Sequence, residues 1–125
     1  GADTVDYSLR SDDLSADMSN DTADDGEASE GDDIKADVEN FLCGTTACTV
    51  IGNDNDNVIV GAAAAVNDLS GGAGDDHLYG GSEDDTLSGG AGDDMLDGAG
   101  GTNTIDCGDG EGDIAFGGTD ATCEL

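Results

Sequence analysis

The chain has 125 residues, enough for one domain, but only 3% of them are aromatic, none is Trp and 22 are Gly, so a conventional hydrophobic core is not expected. Two basic residues stand against 31 acidic ones, and the formal net charge of -29 would by itself favour a self-repelling, disordered segment. The same balance argues against nucleic acid or anionic membrane as a partner, because both require a basic footprint, and favours multivalent cations.

The first residues carry a β-type pattern. The start, GADTVD, resembles the second half of the nine-residue unit that repeats over residues 71–97, with Asp3 and Val5 in phase. The chain is therefore expected to begin mid-repeat. Apolar residues then alternate with polar ones, which predicts two half-buried strands. The alternating residues are Val5, Tyr7 and Leu9 in the first strand and Leu14, Ala16 and Met18 in the second.

An acidic loop, NDTADDGEASEGDD, follows the two strands. Its carboxylates have two equally good interpretations, a second class of metal ligand and simple solvation. The candidates are Asp25, Glu27, Glu30, Asp32 and Asp33. After the loop, Ile34, Val38, Phe41 and Leu42 are expected to cover the first coil of the domain that follows. Residues 1–50 are therefore predicted to form an N-terminal, β-rich acidic cap.

A nine-residue phrase repeats three times without a gap over residues 71–97, as GGAGDDHLY, GGSEDDTLS and GGAGDDMLD. Counting in nines finds an aliphatic residue at each step, at Leu69, Leu78, Leu87, Leu96, Ile105 and Ile114. Two residues earlier in each unit stand Asn67, Asp76, Asp85, Asp94 and Asn103, after which the acid shifts to Asp113. Upstream, IGNDNDNVI fits another unit with Asp56 and Val58 in phase, and two extra residues predict a small bulge before Leu69. Residues 51–115 are predicted to form one repeat domain.

This phrase fits the pattern G-G-x-G-x-D-x-U-x, and the chain closely resembles the RTX, or haemolysin-type, calcium-binding repeat family. The resemblance implies a right-handed parallel β-roll with calcium between stacked turns, found in secreted bacterial proteins. The expected fold class is therefore all-β, a right-handed parallel β-roll (β-solenoid) stabilised by calcium, with the N-terminal β-rich cap.

The repeat predicts metal binding for a physical reason. In a parallel solenoid each strand pairs with the strand two units away, so the aspartate-bearing turns stack in two columns at roughly 4.8 Å. Like charges at that spacing repel, and a divalent ion between turns converts repulsion to attraction; flexible, oxygen-only ligands select calcium over magnesium. Asp75, Asp84 and Asp93 are expected to face solvent.

The predicted metal residues are turn glycines, which supply backbone oxygens or conformation, together with aspartate and asparagine side chains. They are Asp54, Asp56, Asn67, Gly71, Gly72, Gly74, Asp76, Gly80, Gly81, Asp85, Gly89, Gly90, Gly92, Asp94, Asn103 and Asp113. Several calcium ions are expected.

Four cysteines, Cys43, Cys48, Cys107 and Cys123, show no zinc-type spacing and indicate an oxidising compartment. Three disulfide pairings are possible, and Cys43 with Cys48 and Cys107 with Cys123 are favoured because each closes a local loop. The stretches DCGDGEGD and DATCEL also look like the disulfide-closed tail seen in some members of the family. This predicts a C-terminal cap at residues 116–125.

No catalytic function is predicted; the one histidine, His77, is expected on the outer surface of a strand. No apolar run is long enough to span a bilayer, so membrane insertion is not expected. Two functions remain: a calcium-folded structural module of a secreted bacterial protein, outside the cell or on its surface, or a filament or adhesion subunit that stacks end to end. The expected partners are calcium ions and either other copies of the chain or the rest of a larger secreted protein. A disordered calcium buffer is a third, weaker interpretation.

Overall fold

The computed structural model describes residues 1–19, 26–27, 34–121 and 123, with the backbone alone for 26–27 and 119–121. No helix in this part of the chain is long and apolar enough to cross a membrane. Of the acidic-loop candidates, Asp25, Glu30, Asp32 and Asp33 lie outside the described residues, and Glu27 is described by its backbone only.

The described residues form 13 β-strands. Their bounds are β1 Thr4–Asp6, β2 Leu14–Asp17, β3 Gly26–Glu27, β4 Asn40–Leu42, β5 Cys48–Ile51, β6 Val58–Val60, β7 Asn67–Ala73, β8 His77–Gly81, β9 Thr86–Ala91, β10 Met95–Ala99, β11 Asn103–Asp109, β12 Ile114–Phe116 and β13 Gly118–Ala121.

The strands form two stacked parallel sheets. The six-stranded sheet has the order β1-β4-β6-β8-β10-β12, and the seven-stranded sheet has the order β13-β11-β9-β7-β5-β2-β3. From β4 onward, successive strands alternate between the sheets, so each pairs in parallel with a strand one coil away; only β2 with β3 is antiparallel among the described pairs. The prediction of an all-β parallel solenoid is confirmed.

The core contains two inward rows of single side chains, one row from each sheet, together with other buried residues such as Met18, Ile34 and Val38. The row of the six-stranded sheet holds Val5, Phe41, Ile59, Leu78, Leu96 and Ala115. The row of the seven-stranded sheet holds Ala16, Val50, Leu69, Leu87 and Ile105. All of these except Val5 and Ala115 are at most 2% exposed. Apolar burial is therefore repeated coil by coil, which is how so few large side chains suffice.

The first fifty residues continue both sheets. Strands β1 and β4 extend the six-stranded sheet beyond β6, and β2 and β5 extend the seven-stranded sheet beyond β7. The sequence predicted that Phe41 would cover the first coil of the repeat domain. In the structure Phe41 lies within the inward row, opposite Ile59. Leu9, predicted to be a strand residue, is 97% exposed because the chain turns at residues 8–9.

Two predicted phases are corrected by one residue. Ile59 rather than Val58 stands opposite Leu78, and Val58 is 36% exposed. At the other end Ala115 rather than Ile114 pairs with Leu96. The cause is the same in both places, because ten residues instead of nine separate the inward positions of consecutive strands, Ile59 from Leu69 and Ile105 from Ala115. The predicted bulge before Leu69 is absent from the β5–β7 pairing, which runs in continuous register, so the one extra residue lies in the turn.

Candidate metal centre

Buried polar side chains line the two edges where the chain passes between the sheets. On one edge the chain runs from the seven-stranded to the six-stranded sheet, and its turns end at Asn57, Asp76, Asp94 and Asp113; we name this the aspartate edge. On the opposite edge, which we name the asparagine edge, the turns end at Cys48, Asn67, Asp85 and Asn103. All eight residues are at most 6% exposed.

A ladder of hydrogen bonds runs along the aspartate edge. The Asn57 N–H donates to Asp76 Oδ1 at 2.7 Å, the Asp76 N–H to Asp94 Oδ1 at 2.8 Å, and the Asp94 N–H to Asp113 Oδ1 at 2.9 Å. Each carboxylate thus has one oxygen fixed by the preceding coil. In Asp76 and Asp94 the second oxygen is turned toward the residue's own turn.

The second oxygens of Asp76 and Asp94 are buried and accept no hydrogen bond in the described part of the chain. Each faces the first glycine of its turn, and a Cβ on Gly71 or Gly89 would collide with it. A carbonyl oxygen of the next coil enters the same space: a Cβ on Gly71 would lie 2.7 Å from Gly89 O, and one on Gly89 would lie 2.6 Å from Cys107 O. A buried acceptor without a donor costs about 1–3 kcal/mol, and more when charged, so a cation in this space would remove that cost.

The donor atoms suit a hard cation. Carboxylate and carbonyl oxygens line the spaces beside Gly71 and Gly89. No group of three or more His, Cys, Asp or Glu side chains gathers anywhere in the described ranges, so backbone carbonyls would supply most ligands. Calcium accepts such mixed, flexible oxygen sets, whereas zinc prefers nitrogen and sulfur and magnesium requires near-ideal octahedra. The residues present therefore fit calcium.

Without a cation the buried carboxylates carry an electrostatic cost. Burial away from water raises the pKa of Asp76 to about 7; the hydrogen bond from the Asn57 N–H opposes this rise, and the charge of Asp94 adds to it. Burial also raises the pKa of Asp94, against a hydrogen bond from the Asp76 N–H. Both carboxylates bind protons more readily in the folded chain than in the unfolded one.

We therefore expect acidification to stabilise the metal-free folded chain. The pKa of Asp76 is about 7 when folded, against an ordinary value of 3.8. Its contribution to stability is fully present below the ordinary value and is lost as the pH rises through about 7. The strand circular dichroism of the chain in chelator, compared at about pH 5.5 and about pH 8, measures this, and Asp76→Asn should reduce the difference. A strand signal that increases from the lower to the higher pH would contradict the expectation.

The carboxylates one residue earlier in the turns form an exposed outer rim, as predicted for Asp75, Asp84 and Asp93. They also hold the coils together. The Asp93 N–H donates to Asp75 Oδ1 at 3.0 Å, and the Thr102 N–H donates to Asp84 Oδ1 at 2.7 Å. The rim residues therefore act as acceptors between coils, in addition to being solvated.

The predicted ligands Asp54 and Asp56 are not in the buried column. Both are exposed, and Asp56 belongs to the outer rim because its Oδ1 accepts the Asp75 N–H at 3.0 Å. Asn57 takes the buried position. The physical reason is that the side chain ending each turn folds back onto the first glycine, and here that glycine is Gly52.

Sequence reasoning missed two buried asparagines, Asn53 and Asn57. The Asn53 N–H donates to Asn57 Oδ1 at 3.0 Å, and Asn57 Nδ2 donates to Asn53 Oδ1 at 3.1 Å. Starting the nine-residue frame at Gly52 would have found Asn57, which is then the sixth residue of the unit, with Ile59 as the eighth.

Seven of the eight predicted glycines fall into two groups, and Gly81 belongs to neither. The first residues of their turns, Gly71, Gly80 and Gly89, face the carboxylate that ends the turn. The second and fourth residues on the aspartate edge, Gly72, Gly74, Gly90 and Gly92, have φ between 104° and 131°, a conformation open to glycine but rarely to other residues. Gly81, on the asparagine edge, does not adopt it. The remaining predicted ligands, Asn67, Asp85, Asn103 and Asp113, occupy buried turn-ending positions.

Both favoured disulfides are present, Cys43–Cys48 and Cys107–Cys123, and no cysteine is free. Cys48 pairs with Asn67 in the adjacent coil, so the first disulfide closes a turn at the place where asparagine or aspartate stands in later coils. The second disulfide ties β11 to the C-terminal segment.

The parallel coils define the class of the module as a β-roll, and the acceptor-lined spaces between them fit calcium. The family model of the RTX calcium-binding nonapeptide repeat matches residues 67–105, in four copies. These residues run from the start of β7 into β11 and include Asp76, Asp85 and Asp94. The prediction of RTX repeats is confirmed for this segment, and calcium is the ligand that such repeats bind. A comparison with curated proteins returns no match.

Proposed function

We propose that the chain is a structural module of a secreted bacterial protein and that it completes its fold on binding extracellular calcium. The observation that carries the proposal is the pair of buried carboxylate oxygens without donors, on Asp76 and Asp94, inside the RTX-repeat segment. When calcium is scarce these oxygens oppose folding, and where calcium is plentiful its binding free energy adds to stability. The two disulfides support an oxidising compartment.

The proposed role is structural rather than catalytic. The buried carboxylates accept hydrogen bonds from the neighbouring coil. His77 is exposed, and its backbone N–H donates to Asn57 O in the adjacent coil. These polar groups hold coils together.

A calcium titration of the metal-stripped chain tests the proposed function. We expect strand circular dichroism and protease resistance to rise together, with a midpoint at about 10⁻⁴–10⁻³ M, the range of extracellular calcium modules. Magnesium at equal concentration is the matched control and should leave the transition incomplete, because magnesium gives up its water reluctantly. A midpoint below about 10⁻⁶ M would overturn folding linked to secretion, and a strand signal independent of calcium would overturn the calcium role.

The second candidate is an extracellular filament or adhesion subunit built by end-to-end stacking. Strand β1 favours it, because β1 ends the six-stranded sheet with no further strand beside it in the described ranges, and open strand edges recruit other strands. In the other sheet the short antiparallel β3 covers β2 at that end. Light scattering and electron microscopy in calcium separate the candidates: filaments support stacking, and a monodisperse monomer contradicts it.

A further inference from the structure

We propose that calcium occupies the aspartate edge alone, and that the asparagine edge is a metal-independent seam closed by side-chain amides, a carboxylate that is hydrogen-bonded at both oxygens, and a disulfide. This inference rests on the proposed calcium function and assigns it to particular turns. The nine-residue repeat treats both edges alike, so the asymmetry comes from the hydrogen bonds.

On the asparagine edge, the Asn103 amide stands where a cation would be needed. Its Nδ2 donates to Gly98 O at 2.9 Å and Gly100 O at 2.7 Å in its own turn, and to Gly117 O of the next coil at 2.7 Å. Its Oδ1 accepts the Asp85 N–H at 2.8 Å and continues the ladder. One neutral amide therefore gathers carbonyl oxygens from two coils and leaves no space lined by acceptors alone.

Asn67 closes its turn in the same way. Its Nδ2 donates to Ala62 O at 3.1 Å and Ala65 O at 2.9 Å within the turn, and to Asp85 Oδ1 of the next coil at 2.9 Å. The bond to Asp85 adds a side-chain donor to a carboxylate that also accepts the backbone N–H groups of Asn67 and Gly81.

Asp85 is consequently satisfied without a metal. Its Oδ1 accepts both the backbone N–H of Asn67, at 2.7 Å, and the Asn67 amide, and its Oδ2 accepts the Gly81 N–H at 2.6 Å. Asp76 and Asp94 are equally buried, but their Oδ2 atoms have no donor in the described part of the chain. The same residue type therefore meets opposite environments on the two edges.

The backbone conformation at the second residue of the turn also differs between the two edges. Gly81, the second residue of the Asp85 turn, aims its N–H at the carboxylate. The glycines at the same position on the aspartate edge, Gly72 and Gly90, instead adopt φ of 110° and 116°. In their turns the Oδ2 atom of the terminal aspartate has no donor.

The disulfide completes the seam. Cys43 and Cys48 close the turn that precedes the Asn67 turn on this edge, and Cys48 pairs directly with Asn67. Four consecutive turns, ending at Cys48, Asn67, Asp85 and Asn103, are thus closed by covalent or hydrogen bonds of the chain itself. The aspartate edge keeps two acceptor-lined spaces, at Asp76 and Asp94.

Counting bound calcium by native mass spectrometry, with matched Asp→Asn variants, tests the inference. Asp76→Asn and Asp94→Asn should each lose one ion relative to the unsubstituted chain, and Asp85→Asn, the same chemical change on the other edge, should lose none. An equal loss from Asp85→Asn would overturn the one-edge assignment while leaving calcium binding intact. An unsubstituted chain that binds no calcium would overturn the proposed function instead.

The reverse substitution, Asn103→Asp, removes the amide that gathers the three carbonyls, and it should add one calcium ion to the count. An unchanged count would overturn the idea that this amide replaces a cation. Because a variant could fail to fold, anomalous diffraction from crystals of the unsubstituted chain grown in calcium gives an independent measurement. Ion peaks beside Asp76 and Asp94 alone support the inference, and a peak beside Asp85 contradicts it.

Discussion

Replacing Gly90 with alanine is expected to lower the free energy of unfolding by roughly 2–6 kcal/mol. Gly90 has φ of 116°, and a Cβ there would overlap the Gly72 carbonyl of the neighbouring coil. Backbone strain of this kind costs about 1–3 kcal/mol, and forced overpacking costs about 1–3 kcal/mol more. The obstacle is backbone, so no change of side-chain rotamer relieves the overlap. Urea unfolding in saturating calcium, followed by circular dichroism, measures the loss.

Ala99 provides a matched control of opposite sign. It is the second residue of its turn, as Gly90 is, and it is the one non-glycine residue with positive φ, 54°, among those described. Ala99→Gly relieves about 1–2 kcal/mol of left-handed strain, and the greater freedom of glycine in the unfolded chain offsets about 0.5–1 kcal/mol of this gain. We expect a stabilisation of up to about 1.5 kcal/mol. Similar losses from Ala99→Gly and Gly90→Ala would show that the left-handed turn is not the cause.

The repeat period predicts most of the fold because each nine residues must return one aliphatic side chain to the same row. Leu69, Leu78, Leu87 and Leu96 all lie in the core as predicted. The predicted register is wrong by one residue where it is counted from acidic residues. In the run DNDN the acidic residue nearest the expected position is Asp56, but the buried residue is its neighbour Asn57. Glycine is the better reference, since the side chain that ends each turn fills the space of the missing Cβ.

The nine-residue unit that precedes Gly52 is also hard to recognise in the sequence. Cys43, Cys48 and Val50 hold the first, sixth and eighth places of a nine-residue unit, but the unit begins with cysteine instead of glycine. The Cys43–Cys48 disulfide closes this turn covalently, so the turn requires neither a glycine nor an aspartate. The sequence predicted an N-terminal cap at residues 1–50 because this segment lacks the nine-residue phase, and in the structure its strands β1, β2, β4 and β5 pair in parallel within the two sheets.

The difference between the two edges lies beyond what the period can predict. Asparagine and aspartate are nearly the same size and both fit the turn-ending position. Whether a carboxylate there is satisfied depends on donors from its own turn, such as the Gly81 N–H, and from the adjacent coil, such as the Asn67 amide, both of which reach Asp85. The period predicts which turns stack, but which donor reaches which carboxylate oxygen is visible only in the folded chain.

Replacing Leu87 with alanine is expected to lower the free energy of unfolding by about 2–5 kcal/mol. Leu87 is 0% exposed and stands in the inward row between Leu69 and Ile105. The spacing of the coils is set by backbone hydrogen bonds on both sides, so the coils cannot close over the cavity. Unfolding by urea in saturating calcium measures the loss, and Leu9→Ala, at a side chain that is 97% exposed, is the control and should change stability by less than about 0.5 kcal/mol.

The loss at Leu87 should also spread in a way that a globular core would not show. Each coil of a solenoid contacts only its neighbours, so one weakened coil loosens the interfaces on both of its sides. In the Leu87→Ala variant, hydrogen exchange should therefore accelerate in β9 and also in β7 and β11, the two strands that pair with β9. It should change less in β2, which lies further along the sheet. Acceleration confined to β9 would contradict nearest-neighbour coupling, and uniform acceleration in all strands would indicate that the coils unfold as one cooperative unit.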